Sequence, residues 1–445
     1  MSRLGRSIDR LRSIGSSTLH RTPARSPSAH GPDRRRLAAV VWLVLVSQVL
    51  VYPGVPAIVD ALGAPAGSNG VSGGMWFLTA EFAAFVAFAG VWGAVSDTLG
   101  RRASLVVVGA LGGAAAYLTL ALAPQLGIDF VTALLVRLVG GAFTIGAFSL
   151  GITMLMDLDG GHGRNMGAAG VAIGFGAALG SVVGGGLADV DPFYPIYASA
   201  GVLFLAALLA VTVTDRAGNA DPNAADDRGV TAVDDPDPAT ADDPGFRDVL
   251  ARIRSVPGLL VPFAFGFIDR LTAGFFALVG VYYFQEGAFE LSAFGAGLTL
   301  ALFFLPFAIL QYPMGVLSDR IGRFLPVVVG SIAYGFVIIA VGLAPTYPIA
   351  AGLMVLVGVC GALVAPATMA LVTDLVGVAE RGAAMGLFNV FGSLGFLTGF
   401  LVGGTVTEGF DYLTAFLVVG GMEILIALAL FPAVRSITGE VESAG

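Results

Sequence analysis

Twelve long apolar runs alternate with polar stretches along the 445 residues. Each run approaches or exceeds the roughly 20 residues that a helix needs to cross the hydrocarbon core of a bilayer. The stretches between runs are short, as in helical hairpins, except for one long interval after the sixth run. The runs lie at about 38–59, 75–96, 104–123, 130–155, 166–187, 195–214, 258–283, 294–316, 324–343, 348–372, 383–404 and 411–433. This pattern predicts an all-α membrane protein with 12 transmembrane helices in two six-helix bundles.

The long interval is acidic and rich in Asp, Pro, Ala and Gly. Such a segment cannot bury enough apolar surface to fold by itself, so we expect a disordered linker. The residues before the first run include nine Arg and no apolar core, which excludes a signal peptide and favours a disordered tail over an organelle transit peptide. The predicted units are a tail, a first bundle, a linker, a second bundle and a final tail, at residues 1–36, 37–214, 215–257, 258–435 and 436–445.

A charged motif occurs twice, 222 positions apart, each time between two apolar runs. Two such copies indicate a chain built from two similar halves. In each copy an Asp precedes an Arg by four positions, a spacing that lets the two side chains interact on a helical turn. The copies are Gly93-Ala-Val-Ser-Asp97-Thr-Leu-Gly100-Arg101-Arg102 and Gly315-Val-Leu-Ser-Asp319-Arg320-Ile-Gly322-Arg323.

Composition and charge place these runs in a membrane. Charged residues make up 12% of the chain, about half the share of a soluble domain. All 23 basic residues are Arg, and all but Arg137 and Arg270 lie outside the apolar runs, at the two chain ends and in alternate loops. The charged residues of the other loops are all acidic. The positive-inside rule therefore predicts a multi-pass protein of the plasma membrane, with both termini and the linker in the cytoplasm.

Two glycine ladders with identical spacing lie in runs five and eleven. Glycines four positions apart form a flat stripe on a helix, which lets another backbone approach closely. We interpret the ladders as helix-packing positions. They are Gly176, Gly180, Gly184 and Gly185 in the first half and Gly395, Gly399, Gly403 and Gly404 in the second.

Ionisable residues inside the runs are the candidates for chemistry. Each costs about 2.5–3.5 kcal/mol at the centre of a bilayer, which favours a functional role. Asp269 and Arg270 lie near the middle of run seven, and the repeat offset aligns them with Ser47 and Gln48 in run one. The alternative is a buried ion pair that only fixes helix packing. The other candidates are Glu81, Arg137 and, with packing the favoured role, Glu423.

The doubled loop, G-x-[LV]-S-D-x-x-G-R, resembles the signature loop of the major facilitator superfamily of transporters. Arg137 with Gly141 resembles the R-x-x-x-G of its span four. The span-five ladder matches that of the 12-helix drug/proton antiporters, although Ser181 replaces a Pro of that group. The resemblance implies that spans one, four, seven and ten line a cavity, which would include Ser47, Gln48, Arg137, Asp269 and Arg270. It also implies that the two loops act as gates.

The resemblance implies secondary active transport, and the charges favour a proton-coupled antiporter that exports a small apolar or amphipathic compound. Glu81 and Asp269 are the proton candidates. The alternatives are a symporter or facilitator for a sugar or organic anion, and a receptor that transports nothing. No phosphate-binding loop is present, the three His lie outside the runs, and Cys360 stands alone. We therefore expect no enzyme, cofactor, metal site or nucleic-acid partner, and a monomer whose partners are a substrate, a proton or other coupling ion, and lipid.

Overall fold

The computed structural model describes residues 31–65, 67, 70–156, 162–213, 256–377 and 381–444, and their regular structure is helical. Eleven segments of these residues are long and apolar enough to cross a membrane. The fifth helix has 27 residues, of which Ala172–Ala188 is a shorter apolar stretch. The predicted all-α membrane fold is thereby confirmed. The principal helices are α1 (Gly31–Val49), α2 (Val71–Leu99), α3 (Arg102–Ala121), α4 (Phe130–Met156), α5 (His162–Ala188), α6 (Tyr194–Val211), α7 (Leu260–Phe275), α8 (Ala293–Ile321), α9 (Gly330–Gly342), α10 (Tyr347–Asp374), α11 (Arg381–Gly409) and α12 (Tyr412–Ala444).

Helices at the two chain ends extend beyond the apolar runs. Helix α1 begins at Gly31, so the last part of the predicted tail 1–36 is helical, while residues 1–30 lie outside the described part. Helix α12 continues to Ala444, through most of the predicted tail 436–445. Of the predicted linker 215–257, only the last two residues are described. Apolar periodicity marks the part of a helix that lies in lipid, and a helix can continue beyond it into water.

Helices α1 and α7 both continue in irregular form. A 3₁₀ turn, Tyr52–Gly54, and a short helix, Val55–Ala61, follow α1. Pro53 and Pro56 lie at the starts of these two elements, where a missing backbone N–H costs least. Two π-helical segments, Phe276–Gly280 and Tyr283–Gly287, follow α7. Both helices of the corresponding pair thus depart from α geometry at the same end of the molecule.

The helices pack as two sets of six that meet along two seams, α2 with α11 and α5 with α8. Phe82 of α2 stacks on Phe396 of α11 with ring centroids 4.7 Å apart. In the other seam, Gly174 of α5 lies against Ala308 of α8. We call the end with loops 97–103, 317–323 and 373–382 the arginine end. The opposite end, where α1 and α7 become irregular, is the acidic end.

The glycine ladders lie where two backbones approach most closely. A Cβ added to Gly180 would stand 3.1 Å from the carbonyl oxygen of Val46 in α1. A Cβ on Gly399 would stand 2.8 Å from the backbone nitrogen of Phe275 in α7. Along the same stripes, Gly176 and Gly184 face α1, and Gly395 and Gly403 face α7.

The last glycine of each ladder faces the opposite half. Gly185 lies against Ala293 and Phe294 at the start of α8, and Gly404 lies against Met75 of α2. Each ladder therefore packs its helix against two others. In the first half α5 packs against α1 and, across a seam, against α8, and in the second half α11 packs against α7 and, across a seam, against α2.

Candidate functional site

Glu81 and Arg137 form a closed ion pair inside the first half. The Arg137 guanidinium donates to Glu81 Oε2, and both side chains are almost fully buried, with 2% and 1% exposed. Tyr117 of α3 donates to the other carboxylate oxygen of Glu81 at 2.9 Å. The guanidinium carbon also lies 4.4 Å from the centroid of the Phe77 ring. Three helices, α2, α3 and α4, thus enclose one neutralised pair.

The enclosure of Arg137 differs from the expectation that it lines an open cavity. Its Nε also points at the carbonyl oxygen of Phe77, at 3.4 Å, so its donors are directed toward α2. A void of about 10 Å³ beside the pair has the volume of one water position at most. The rotation of α4 about its axis turns the Arg137 guanidinium toward Glu81 of α2.

Ser47 and Gln48 are also buried within the first half, with 0% and 3% exposed. The Ser47 hydroxyl donates to the Val44 carbonyl of its own helix at 2.6 Å. The Ser47 carbonyl accepts a hydrogen bond from Ser199 of α6. The side-chain nitrogen of Gln48 is buried without a hydrogen-bond partner. Ser47 therefore joins α1 to α6, while Gln48 retains an unused polar group.

Asp269 and Arg270 occupy the middle of α7 and differ in exposure. The Asp269 side chain is 8% exposed and the Arg270 side chain 44% exposed, while their neighbours Ile268 and Leu271 are fully buried. Arg270 Nε lies 3.9 Å from Asp269 Oδ2, at the outer limit of an ion pair. The structure thus brings these two together, separately from Arg137, and leaves the Arg270 guanidinium open.

A second buried carboxyl lies beside α7 in the same half. Glu423 of α12 is fully buried, and its Oε2 accepts a hydrogen bond of 3.4 Å from Thr272 of α7. Asp269 lies within electrostatic reach of this carboxyl. Sequence reasoning treated Glu423 as a packing residue, and no spacing signal connects it to α7.

The first loop copy forms a different ion pair from the one that the spacing suggests. Asp97 Oδ1 lies 3.4 Å from Arg102 Nη2 instead of contacting Arg101. Helix α2 ends at Leu99, and Gly100 has a φ of +61°, which turns the chain away from the helix. The four-residue spacing therefore does not place Arg101 on the turn that carries Asp97, and Arg101 is exposed. Gly93 lies one turn before Asp97 on α2, and its carbonyl accepts from Ser96.

The second loop copy forms the expected pair and extends it. Arg323 Nη1 contacts Asp319 at 2.5 Å, and its Nε donates to Asp374 at the end of α10 at 3.2 Å. Burial disfavours the charged guanidinium, but the hydrogen bonds to Asp319 and Asp374 outweigh it and raise the pKa of Arg323. Gly322, with a φ of +83°, makes the turn, Arg320 is exposed, and Gly315 lies near Pro366 of α10.

Two carboxylates at the acidic end join the halves. Asp189, just after α5, accepts from the backbone nitrogens of Ala293 and Phe294 at 2.8 and 3.2 Å. Glu408, at the end of α11, accepts from the backbone nitrogen of Ser72 at 3.2 Å. Each carboxylate thus caps the first turn of a seam helix in the opposite half, where orphan N–H groups and the helix dipole favour negative charge.

Sequence reasoning noted these two acids only as loop charges, although a signal for them exists. Asp189 and Glu408 are 219 positions apart, the same offset that relates Gly184 to Gly403. The contact is thus duplicated together with the ladders. A third hydrogen bond at this end, from Gln285 to the Pro53 carbonyl at 2.8 Å, joins the irregular segments after α7 and α1.

Comparison with known proteins agrees with this duplicated architecture. The family model described as Major Facilitator Superfamily matches residues 37–288 and 271–444. A curated relative, the puromycin resistance protein pur8 of Streptomyces alboniger, is 32% identical over 193 residues, which are 42% of this chain and 37% of the relative. The alignment therefore spans well under half of that relative.

Solved structures share the fold at low sequence identity. A bacterial homologue of the human lysosomal transporter Spinster, in an inward-facing and unoccupied conformation, has a TM-score of 0.74 at 14% identity, over 94% of this chain and 99% of that chain. The nucleoside transporter NupG has a TM-score of 0.67 at 14% identity, over 91% and 99% of the two chains. The two halves match, the seams lie at equivalent helices, and the family model covers nearly all of both bundles. This chain therefore belongs to the Major Facilitator Superfamily and is a multi-pass membrane transporter.

Proposed function

We propose that the protein is a proton-coupled antiporter that exports a small apolar or amphipathic compound across the plasma membrane, with its arginine end in the cytoplasm. Its partners would be the substrate, the proton and the lipid bilayer, and the chain would act as a monomer. The resistance relative supports export of an amphipathic compound, since it is a puromycin resistance protein by name.

The observation that carries the proposal is the contrast between Asp269 and Arg270. A carboxyl that is nearly buried and held only loosely, at 3.9 Å, can change its protonation state at moderate cost. The adjacent guanidinium is 44% exposed although it lies deep in α7, so a substrate can reach it. Charge in a membrane helix is expensive, and a pair of this kind is retained where it is used.

Transport would proceed by rocking of the two halves about the seams. The acidic-end caps hold the halves together on one side in this conformation. The loop pairs Asp97–Arg102 and Asp319–Arg323 lie at the other side, where they would bias the equilibrium between inward-open and outward-open states.

The test uses puromycin as the first probe in proteoliposomes. An imposed pH gradient should drive puromycin flux through the wild type, and substrate addition should displace protons. Asp269→Asn should lose gradient-driven flux while retaining its thermal unfolding temperature, because the carboxyl that changes charge is gone. Asp129→Asn is the matched control, since Asp129 caps its own helix through Thr132 at 3.0 Å.

Two results would contradict the proposal. Gradient-driven flux that persists in Asp269→Asn would remove this carboxyl from the mechanism. Flux that equilibrates without responding to the gradient would favour the alternative, a facilitator for an anionic substrate. In that alternative Arg270 would bind the substrate carboxylate, because the Arg137 guanidinium is already occupied by Glu81.

A further inference from the structure

Among the described residues, each half contains one fully enclosed Glu, and the two differ in counter-charge. Glu81 has Arg137 on one oxygen and Tyr117 on the other. Glu423 is just as buried, but its Oε1 has no hydrogen-bond partner and its Oε2 has only the long contact from Thr272. A buried carboxylate without a cation costs several kcal/mol, so its charge must be neutralised from outside the protein.

Within the described residues, the surroundings of Glu423 contain no cation that could neutralise its carboxylate. Helix α9 contributes Ser331 and Tyr334, α10 contributes Cys360, and α7 contributes Asp269, which is itself acidic. Between 382 and 407, α11 has no titratable side chain. Arg270, the nearest charge of opposite sign on α7, is paired with Asp269 and half-exposed.

A second buried polar group lies beside the same carboxyl. The Ser331 hydroxyl is fully buried and lacks a partner at hydrogen-bonding geometry. This hydroxyl lies near the Glu423 carboxyl, so the two groups without partners are neighbours. Metal binding would need more oxygen ligands than this cluster provides, since hard cations take six or more.

We propose that Glu423 holds an exchangeable proton in a site formed with Ser331 and Thr272, between α7, α9 and α12. The proton on Oε1 would donate to the Ser331 hydroxyl, so both unpartnered groups would be satisfied. This site deepens the proposed antiport, on which its role in coupling rests, because it lies within electrostatic reach of Asp269. Glu81 has no such role, since Arg137 already neutralises it.

Infrared difference spectroscopy of the purified full chain tests the site without substrate or gradient. At neutral pH the wild type should show the carbonyl band of a protonated carboxyl, shifted on transfer to D₂O. Glu423→Gln should lose this band. Glu290→Gln, which removes an exposed loop carboxyl, and Asp269→Asn should both retain it. Ser331→Ala should retain the band but shift its frequency, which preserves the test if Glu423→Gln fails to fold.

Three outcomes would overturn the proposal. The wild type could lack the band, or the band could disappear in Asp269→Asn and persist in Glu423→Gln, which would place the proton on Asp269. Sodium chloride, compared with choline chloride, could raise the unfolding temperature of the wild type but not of Glu423→Gln, which would make the ligand sodium. Failure of puromycin flux would leave these readouts unaffected, so the proton site and the antiport can fail separately.

Discussion

At the scale of single residues, the first half satisfies its buried charges internally. Arg137 contacts Glu81, the Phe77 carbonyl and the faces of the Phe77 and Tyr117 rings. Arg137 and Glu81 are both buried, so each charge depends on the other for neutralisation. The cluster acts as a fixed joint among α2, α3 and α4, whereas the buried Glu423 carboxyl of the second half has an oxygen without a hydrogen-bond partner.

We expect Arg137→Met to destabilise the protein strongly, because it leaves the Glu81 carboxylate buried without a counter-charge. Breaking a buried pair in this way costs about 3–5 kcal/mol. The measurement is thermal unfolding in detergent, with Arg320→Met at an exposed position as control. Adding Glu81→Leu to Arg137→Met should recover part of the loss. An unfolding temperature equal to that of the wild type would show that the pair contributes little.

At the scale of helices, the ladders fix how closely α5 approaches α1 and how closely α11 approaches α7. A Cβ added to Gly184 would stand 2.6 Å from the carbonyl carbon of Leu50, which is backbone and cannot rotate away. Two positions on, a Cβ at Gly186 would meet only the Phe294 ring, at 3.6 Å. Helix α5 thus contains one glycine, Gly184, at which an added methyl group would clash, and another, Gly186, at which it would fit.

We predict that Gly184→Ala lowers stability by about 1–3 kcal/mol, the usual cost of overpacking. Gly186→Ala should leave it within about 0.5 kcal/mol of the wild type, as a change at a site with ordinary contacts does. Thermal unfolding of the two variants side by side gives the comparison. Equal unfolding temperatures for the pair would mean that α5 can move away from α1 at no cost.

At the scale of the whole molecule, the acidic end contains polar links between the halves. Asp189 and Glu408 cap α8 and α2 in opposite directions, so the two contacts are related by the internal duplication. Opening the acidic end has to break both. Asp129 and Asp411 cap helices at the same end within their own halves, where hydrogen bonds from Thr132 and Thr414 lower the pKa of each carboxyl.

We expect the double variant Asp189→Asn/Glu408→Gln to shift the population toward outward-open. If each cap contributes about 1 kcal/mol, losing one changes the ratio of states roughly fivefold. Spin labels at the exposed positions Ala61 and Glu290, measured by pulsed dipolar spectroscopy, should report longer distances in the double variant. Asp129→Asn is the control that keeps both links. Identical distance distributions in the wild type, the double variant and Asp129→Asn would show that the two caps do not hold the acidic end closed.

The sequence by itself determined the number of helices, the two halves, the duplicated loops and the ladders. A bilayer requires about 20 apolar residues for each crossing and moves charge into loops, so both features are visible in linear order. Duplication preserves spacing, which is why offsets of 222 and 219 positions relate contacts as well as motifs.

Only the tertiary structure decided which charges meet. Arg137 lies 56 positions from Glu81, and their contact depends on how α2 and α4 rotate about their axes. Asp97 contacts Arg102 because Gly100 ends the helix before the expected partner. Among the described residues no cation lies beside Glu423, because α9 and α7 present hydroxyls and an acid to it. Helix rotation is set by packing over many side chains, and no local spacing encodes it.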